Sequence, residues 1–169
     1  MGDSEEIQRI EELRRYEILD TPPDGYFDDI TSLASKIFNV PIAIVSLVDT
    51  DRIWFKSTCG IDAEEIPRSP GLCSSAIMSD DVYIVEDAKS DVRTLANPLV
   101  AGAMGFQFYA AAPLVSKNRF RLGTICVIDT KPRAMSGLES NMLMQLSRII
   151  MGQIELKLEA RLVMSKMKG

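Results

Sequence analysis

The chain reads FQFYAAAPLVSKNRFRLGTICVID from Phe106 to Asp129, and this stretch is the most informative part of the sequence. It contains two apolar runs, Gln107–Val115 and Leu122–Asp129, on either side of the polar residues Lys117–Arg119. Two such runs joined by a short polar loop predict an antiparallel hairpin. Several of its side chains have little bulk, so a cavity or a packed helix is expected over one face. These small residues are Ala110, Ala111, Ala112 and Gly123.

Alternation along the first strand predicts which side chains share a face. Successive strand residues point to opposite sides of a sheet. Phe106, Phe108 and Ala110 are therefore expected on one face, and Tyr109 and Ala111 on the other.

Helices are predicted on both sides of this strand-rich region. Asp3 is expected to cap a first helix within residues 1–20, with Glu6 as its reciprocal partner. Apolar residues at three- and four-residue steps from Phe27 to Phe38 predict a second helix. A long helix is predicted over residues 137–167.

The middle of the chain alternates short apolar runs with polar loops. Ile42–Val48 predicts a central strand, with Arg52–Ser57 as its hairpin partner. The remaining predicted segments are a polar loop at Cys59–Pro70, short helices at Leu72–Met78 and Pro98–Met104, and a short strand at Val82–Val85. This order predicts a single α+β domain over residues 1–169, in which a central antiparallel sheet lies between terminal helices and a lid of short helices and loops.

The composition excludes several classes of function. The chain has 169 residues, of which 46% are hydrophobic and 25% are charged, as in one ordinary globular domain. Its net charge of −5 argues against a nucleic-acid partner. No apolar run approaches the roughly 20 residues of a membrane helix, and the charged N-terminus does not resemble a secretory signal. A cytoplasmic protein is therefore expected.

The chain has no histidine and three cysteines without short paired spacing, Cys59, Cys73 and Cys126. The missing histidine removes the commonest metal ligand, general base and haem ligand, so no metal site is predicted. The odd number of cysteines indicates reduced thiols. With no histidine and no nearby resolving partner in the sequence, no catalytic thiol is expected.

The hairpin resembles that of GAF domains, with Ala111 at the position where the family usually has glycine. Three further segments resemble, in order, a bacterial GAF subgroup found at the front of sensor kinases and cyclic-dinucleotide synthases, so the resemblance covers about residues 9 to 155. These are RRYEILDTPPDGYFDDITSLASKIFNVPIAIVSLVD (Arg14–Asp49), DRIWFKSTCGIDAEEIPRSPGLCSSAI (Asp51–Ile77) and VEDAKSDVRTLANPLV (Val85–Val100).

The resemblance implies a GAF fold and a sensory role, but it names no ligand. Ser75 replaces the histidine that is usual in this subgroup. The signature of cyclic-nucleotide-binding GAF domains is absent, and so is a cysteine–histidine pair of the kind that holds a bilin. The identity of any cofactor therefore remains unknown.

A ligand pocket is expected between the sheet face that carries Tyr109 and Ala111 and the segment Leu72–Val100. The small side chains leave space above the strand, and the irregular segment is free to form a lid. Asp87 is expected to provide the polar anchor. The predicted ligand-binding residues are Cys73, Ile77, Asp87, Tyr109 and Ala111.

Each of these assignments has a purely structural alternative. Cys73 and the aromatic residues suit a packed core equally well. The polar residues of the lid can be turn caps rather than ligand contacts. These polar residues are Asp87, Asp91, Arg93 and Asn97.

The last helix carries two apolar stripes. One stripe is expected to pack on the sheet and consists of Leu143, Ile150, Ile154, Leu158 and Leu162. The second stripe predicts a homodimer, because a helix with two apolar faces usually meets a second partner. The residues expected in this interface are Leu146, Ile149, Leu156 and Val163. The alternative is that the N-terminal helix of the same chain covers this stripe.

The resemblance and the stripes together predict a sensory or regulatory domain that is not an enzyme. A small molecule or a partner protein would change the packing of the terminal helices. The helices would pass the change to a partner subunit or, if the chain is part of a longer protein, to an output kinase or cyclase-type domain. One alternative is a free methionine-R-sulfoxide reductase, which is a GAF-fold enzyme. Another is a degenerate GAF domain that serves only for dimerisation.

Overall fold

The computed structural model describes residues 2–69, 71–102 and 104–168. The helices in these ranges are α1 (Asp3–Arg15), α2 (Gly25–Phe38), α3 (Cys73–Ala76), α4 (Pro98–Ala101) and α5 (Gly137–Lys168). The strands are β1 (Ile42–Val48), β2 (Arg52–Cys59), β3 (Glu65–Pro67), β4 (Tyr83–Val85), β5 (Phe108–Val115) and β6 (Arg121–Asp129). Pro70 and Ala103, which belong to the predicted polar loop and the second predicted short helix, lie outside the described residues.

The strands form one antiparallel sheet in the order β3-β2-β1-β6-β5-β4. The predicted β5–β6 hairpin and the α+β architecture are confirmed. At the centre of the sheet, β1 pairs with β6 and places Leu47 opposite Gly123. A Cβ atom at Gly123 would lie 1.9 Å from the Ser46 carbonyl oxygen, so this close approach of two backbones requires glycine.

The sheet separates two hydrophobic cores. The helix-side core lies under α1, α2 and α5 and includes Val45, Phe108 and Ile150. The lid-side core lies under α3, α4 and their loops and includes Ile44 and Tyr109. Because neighbouring residues of β1 and of β5 enter different cores, the central strands are apolar on both faces.

Local chemistry explains where α2 begins and ends. The Asp24 carboxylate accepts a hydrogen bond from the backbone N–H of Tyr26, which caps the first turn. Asn39 ends the helix in the left-handed conformation, at φ 51°. The apolar face between these ends buries Phe27, Ala34 and Phe38, as the sequence periodicity predicts.

Three details of the sequence-based description are wrong. Asp3 does not cap α1, because the helix already includes Asp3 and its N-cap is Gly2, while Glu6 binds arginine side chains instead. Phe106 lies in the lid-side core rather than beside Phe108, because β5 begins only at Phe108 and alternation does not extend to Phe106. The predicted polar loop after β2 contains the edge strand β3.

Helix α5 is longer than the sheet that it covers. Its 32 residues span about 48 Å, whereas the nine residues of β6 span about 30 Å. Leu143, Ile150, Ile154 and Leu158 are buried as predicted, but Leu162 is 53% exposed because the helix has passed the core there. Within the described part of the chain, no helix combines the length and apolar character needed to cross a membrane.

The second stripe of α5 is divided between core and surface. Leu146 packs into the helix-side core. Ile149, Leu156 and Val163 are 50%, 58% and 56% exposed, so α1 does not cover them. Nothing lies within 4 Å of the position that a Cβ atom would take at Gly152. The surface formed by Ile149, Leu156 and Val163, with Gly152 between the first two, is called the exposed α5 stripe below.

Candidate ligand-binding site

A small cavity lies between the sheet and the lid in the lid-side core. The cavity has a volume of about 60 Å³, which is room for about two waters, because one water occupies roughly 30 Å³ in the liquid. Its floor is formed by Ile44, Phe55, Tyr109, Cys126 and Ile128, and its roof includes Ile61, Leu72, Cys73, Leu99 and Met104. The lining is almost wholly apolar, so an occupant would be held mainly by shape and by the exclusion of water.

A cluster of hydroxyl and thiol groups surrounds the Cys73 sulfur at one end of this cavity. The Tyr109 hydroxyl donates a hydrogen bond to Cys73 Sγ over 3.1 Å. The hydroxyls of Ser46 and Thr124 donate to the same sulfur over 3.4 and 3.5 Å, and they lie 2.9 Å from each other. These buried polar groups, together with Cys126, are called the thiol cluster below.

The thiol cluster shifts the pKa values of its two cysteines in opposite directions. Hydrogen bonding, first of all from the Cys126 thiol, lowers the pKa of Cys73 to about 6, although complete burial acts in the opposite direction. The same contact with Cys73, together with burial, raises the pKa of Cys126 well above its usual value. Burial also raises the pKa of Tyr109. The cluster therefore favours ionisation of Cys73 and disfavours ionisation of Cys126.

The structure brings together two of the five residues predicted to bind a ligand. Cys73 and Tyr109 meet at the cavity wall. Ile77 and Ala111 are completely buried in the lid-side core, but they do not line the cavity. Asp87 is exposed, and its carboxylate accepts a hydrogen bond from the Ser90 hydroxyl over 3.2 Å. The role of these five residues in ligand binding stays a prediction.

The other polar residues of the lid make local contacts. The Asp91 carboxylate accepts hydrogen bonds from the backbone and the guanidinium of Arg93, and Arg93 also donates to the Ile84 carbonyl. The Asn97 side chain caps α4 at the backbone N–H of Leu99. These contacts match the structural alternative, in which such residues stabilise turns and caps.

Ser46 and Thr124 are the members of the site that the sequence reasoning missed. Both lie in the middle of otherwise apolar strands, IAIVSLV and RLGTICVID, and both are completely buried. A hydroxyl at a central strand position needs a hydrogen-bond partner. That requirement was the signal that could have identified them.

Arg68 connects the lid to the N-terminal helix. Its guanidinium donates to the Ser74 hydroxyl in α3 over 3.2 Å and to the Glu6 carboxylate in α1 over 2.6 Å. It also donates to the Asp49 carbonyl in the β1–β2 turn over 3.0 Å. Movement of α3 would therefore act directly on α1.

A second connection joins the lid to the start of β6. Arg121 Nε donates to the Ile77 carbonyl directly after α3, and the Arg121 carbonyl accepts a hydrogen bond from Arg9 in α1. Arg9 is almost completely buried and also binds Glu6. The arginines Arg9, Arg68 and Arg121, with Glu6, thus form a network along one edge of the domain.

Helix α5 is held to the segment between α1 and α2. Tyr16 donates to Glu155 over 2.5 Å, and Lys157 donates to Asp24 over 2.5 Å. Arg161 donates to the Tyr16 carbonyl. These contacts surround a cleft of about 270 Å³. Among the described residues, no group of three or more cysteine or carboxylate side chains is arranged to hold a metal ion.

An antiparallel sheet with helices on one face and short helices and loops on the other defines a two-sided α+β domain. The sequence matches the GAF domain family over residues 22–154, and the chain belongs to that family. It is also 36% identical over 138 residues to the cyclic di-GMP phosphodiesterase PA2567 of Pseudomonas aeruginosa. That match covers 81% of this chain but only 24% of the phosphodiesterase, so the chain spans about a quarter of its relative.

Solved structures show the same fold at low sequence identity. The GAF domain of an Acinetobacter phosphoenolpyruvate-protein phosphotransferase is 16% identical and has a TM-score of 0.66, with 98% of this chain and 99% of that chain covered. The free methionine-R-sulfoxide reductase of Neisseria meningitidis, in complex with its substrate, is also 16% identical, with a TM-score of 0.66 and 95% of each chain covered. Likeness at this level of identity describes the fold alone.

Proposed function

We propose that this GAF domain senses a small, largely apolar molecule in the lid-side cavity. The observation that carries the proposal is the combination of an apolar cavity with a polar thiol cluster at one end. Apolar walls favour the binding of an uncharged molecule, and the cluster can exchange hydrogen bonds with one polar atom of that molecule. The domain performs no chemical turnover in this proposal.

The size of the cavity restricts the ligand. A volume of about 60 Å³ is far below the roughly 300–1,000 Å³ of pockets that hold drug-sized molecules. A nucleotide would not fit unless the lid moved away from the sheet. The preferred ligand is therefore a molecule of about two or three heavy atoms.

The lid is the part of the domain best placed to respond to this ligand. Helices α3 and α4 contain only four residues each, so the lid has little regular structure to resist displacement. Arg68 and Arg121 link the lid to α1 and β6 through the contacts described above. A ligand that shifts α3 would thereby change the position of α1.

The terminal helices would carry the signal out of the domain. We propose that two copies associate through the exposed α5 stripe, with Ile149, Leu156 and Val163 at the seam and Leu146 beside it. The open space over Gly152 allows another helix to approach closely. The phosphodiesterase relative is about four times as long as the region that matches this chain. If this chain is also part of a longer protein, the proposed receiver of the signal is an output domain of the kinase or cyclase type in the cytoplasm.

Two measurements test the sensory proposal. Native mass spectrometry of the protein purified from its source cells should show a bound small molecule. Two-dimensional NMR under xenon pressure should show that xenon shifts the amide signals of α3, α4 and β6. The absence of both a bound mass and such shifts would show that this cavity is not a ligand site.

A matched pair of variants makes the NMR measurement specific. Leu99→Trp fills the cavity and should abolish the shifts, because Leu99 lies in the cavity roof. Leu95→Trp introduces the same side chain at an exposed position of the same segment and should leave them unchanged. Equal loss of probe binding in both variants would contradict the assigned position of the site.

An enzymatic function is the second candidate, and the two thiols at the cavity wall are the observation that favours it. A free methionine-R-sulfoxide reductase would reduce its substrate with cysteine thiols. Incubation with free methionine-R-sulfoxide and dithiothreitol distinguishes the candidates. A sensory domain produces no methionine above the rate of a Cys73→Ser variant, whereas a reductase produces methionine in multiple turnovers.

A further inference from the structure

Cys73 and Cys126 reach the thiol cluster from different parts of the fold. Cys73 is the first residue of α3 in the lid, whereas Cys126 lies in the middle of β6 in the sheet. Both are buried and both line the cavity. The hydroxyls of Tyr109 and Thr124 donate hydrogen bonds to the Cys73 sulfur. Cys59 is half-buried at the end of β2 and is not part of the cluster.

We propose that Cys73 and Cys126 are a peroxide-reactive thiol pair, which hydrogen peroxide converts to a disulfide between the lid and the sheet. This inference goes beyond the proposed sensing of an apolar ligand and does not depend on it. The cavity provides the site where the oxidant meets the sulfur atoms. The cluster provides one nucleophilic thiol and one resolving thiol.

The cavity favours hydrogen peroxide over larger oxidants. Hydrogen peroxide is uncharged and has two heavy atoms, so it fits a space of about 60 Å³ beside both sulfur atoms. Glutathione disulfide and aromatic disulfide reagents are far too large to enter while the lid is closed. The pair should therefore react with peroxide faster than with those reagents.

The surroundings of Cys73 suit it to be the attacking sulfur. Hydroxyl groups that donate to a sulfur atom favour its thiolate form, and the thiolate is the nucleophile. The low pKa of Cys73 agrees with this arrangement. Cys126 lines the same cavity, and its contact with Cys73 and its burial raise its pKa, which suits it to be the resolving thiol.

The reaction balances in two steps. The Cys73 thiolate attacks one oxygen of hydrogen peroxide, the O–O bond breaks, and the hydroxide that leaves is protonated to water, which gives Cys73 sulfenic acid. The Cys126 sulfur then attacks the Cys73 sulfur, the S–S bond forms and the S–O bond breaks. The hydroxide that leaves takes the Cys126 proton and becomes a second water. Two thiols are oxidised, and one peroxide is reduced to two waters.

The disulfide would change the lid. It would fix the start of α3 to β6 and weaken the hydrogen bonds that Tyr109, Ser46 and Thr124 donate to the Cys73 sulfur. It would also place a covalent bond beside the cavity. Oxidation would thus hold the lid in one position, independently of any ligand.

The test is to treat the native protein with hydrogen peroxide and to measure its intact mass. The mass should fall by that of two hydrogens, and a digest should contain a peptide pair joined through Cys73 and Cys126. Cys59→Ser is the matched control and should react at the same rate. Cys126→Ser and Cys126→Ala should stop at a sulfenic acid on Cys73, detected as a mass gain of one oxygen atom on the Cys73 peptide, and Cys73→Ser should give neither product.

Several results would overturn this inference. One is that Cys59 is the main site of oxidation in the native protein. Another is that the disulfide forms only after the protein is unfolded in urea, or that a larger disulfide reagent reacts with Cys73 at least as fast as peroxide. A protein that binds xenon in the cavity but forms no disulfide would overturn this inference and leave the sensory proposal intact.

Discussion

Replacing Glu6 with glutamine should weaken the domain in a way that depends on pH. The Glu6 carboxylate accepts two hydrogen bonds of 2.9 Å from the Arg9 guanidinium and one of 2.6 Å from Arg68. The hydrogen bond with Arg9 is the largest influence on the pKa of the Glu6 carboxyl group and lowers it, whereas burial raises this pKa. Together these contacts lower the pKa of Glu6 from 4.5 to about 2.

The size of the effect follows from this pKa shift. Each pKa unit corresponds to about 1.4 kcal/mol, so the full shift would correspond to roughly 3 kcal/mol. The Glu6 side chain is 27% exposed, and solvent screening reduces this value to about 2 kcal/mol. Because the pKa is lower in the folded state, this stabilisation is fully present above about pH 4.5. It is lost as the pH falls toward about 2.

Urea unfolding of the wild type and of Glu6→Gln measures this directly. The difference in unfolding free energy should be about 2 kcal/mol near pH 7 and should shrink steadily below about pH 4.5. Glu5→Gln is the matched control, because Glu5 is an exposed neighbouring carboxylate, and it should change stability by less than about 0.5 kcal/mol. A difference that does not vary with pH, or that Glu5→Gln reproduces, would refute the reasoning.

Three further predictions concern assembly, packing and the thiol cluster. Leu156→Asp should convert a dimer to a folded monomer in analytical ultracentrifugation, because burial of each leucine contributes about 1.5–3 kcal/mol. Val92→Asp, at a distant exposed position, should leave the dimer intact. A wild type that is monomeric at high micromolar concentration would contradict the interface. Gly123→Ala should destabilise the domain by about 3 kcal/mol in urea unfolding, because the added methyl group would collide with the β1 backbone. Gly137→Ala is the control and should not lower the stability, because the space around that position is open. Equal effects of the two changes would argue against the close approach of β1 and β6. Tyr109→Phe should raise the pKa of Cys73, because it removes a hydrogen-bond donor to the sulfur. The midpoint of the pH dependence of peroxide oxidation should therefore move above the wild-type Cys73 pKa of about 6. An unchanged pH profile would mean that this hydroxyl does not affect the thiol pKa.

Local sequence patterns were sufficient for most of the fold. The β5–β6 hairpin and α2 follow from alternation and helical periodicity, which depend on residues close in sequence. Strand β3 could not be found in this way. Its three residues have no strand pattern and are held by pairing with Arg52, Ile53 and Trp54 of β2. Phe106 was placed on the wrong face because the start of a strand depends on its neighbours in the sheet.

The candidate site was only partly accessible from the sequence. Tyr109 and Cys73 could be placed near one cavity, because the former lies in the hairpin and the latter in the adjacent lid. The irregular segment around Asp87 offers no periodicity, so nothing in the sequence indicated that this side chain faces solvent. The thiol cluster joins α3, β1, β5 and β6, and only the tertiary fold brings those elements together.

The pairing of β1 with β6 has a consequence for the order of folding. These two strands form the centre of the sheet, although the chain from Val48 to Arg121 lies between them. Doubling the length of such a loop adds only about 0.6 kcal/mol to its closure entropy, so the separation affects the rate of folding more than stability. During synthesis, β1 and β2 can pair early. The backbone N–H and C=O groups on the other edge of β1 stay unpaired until β6 has emerged. The nascent domain is therefore most prone to aggregation late in its translation.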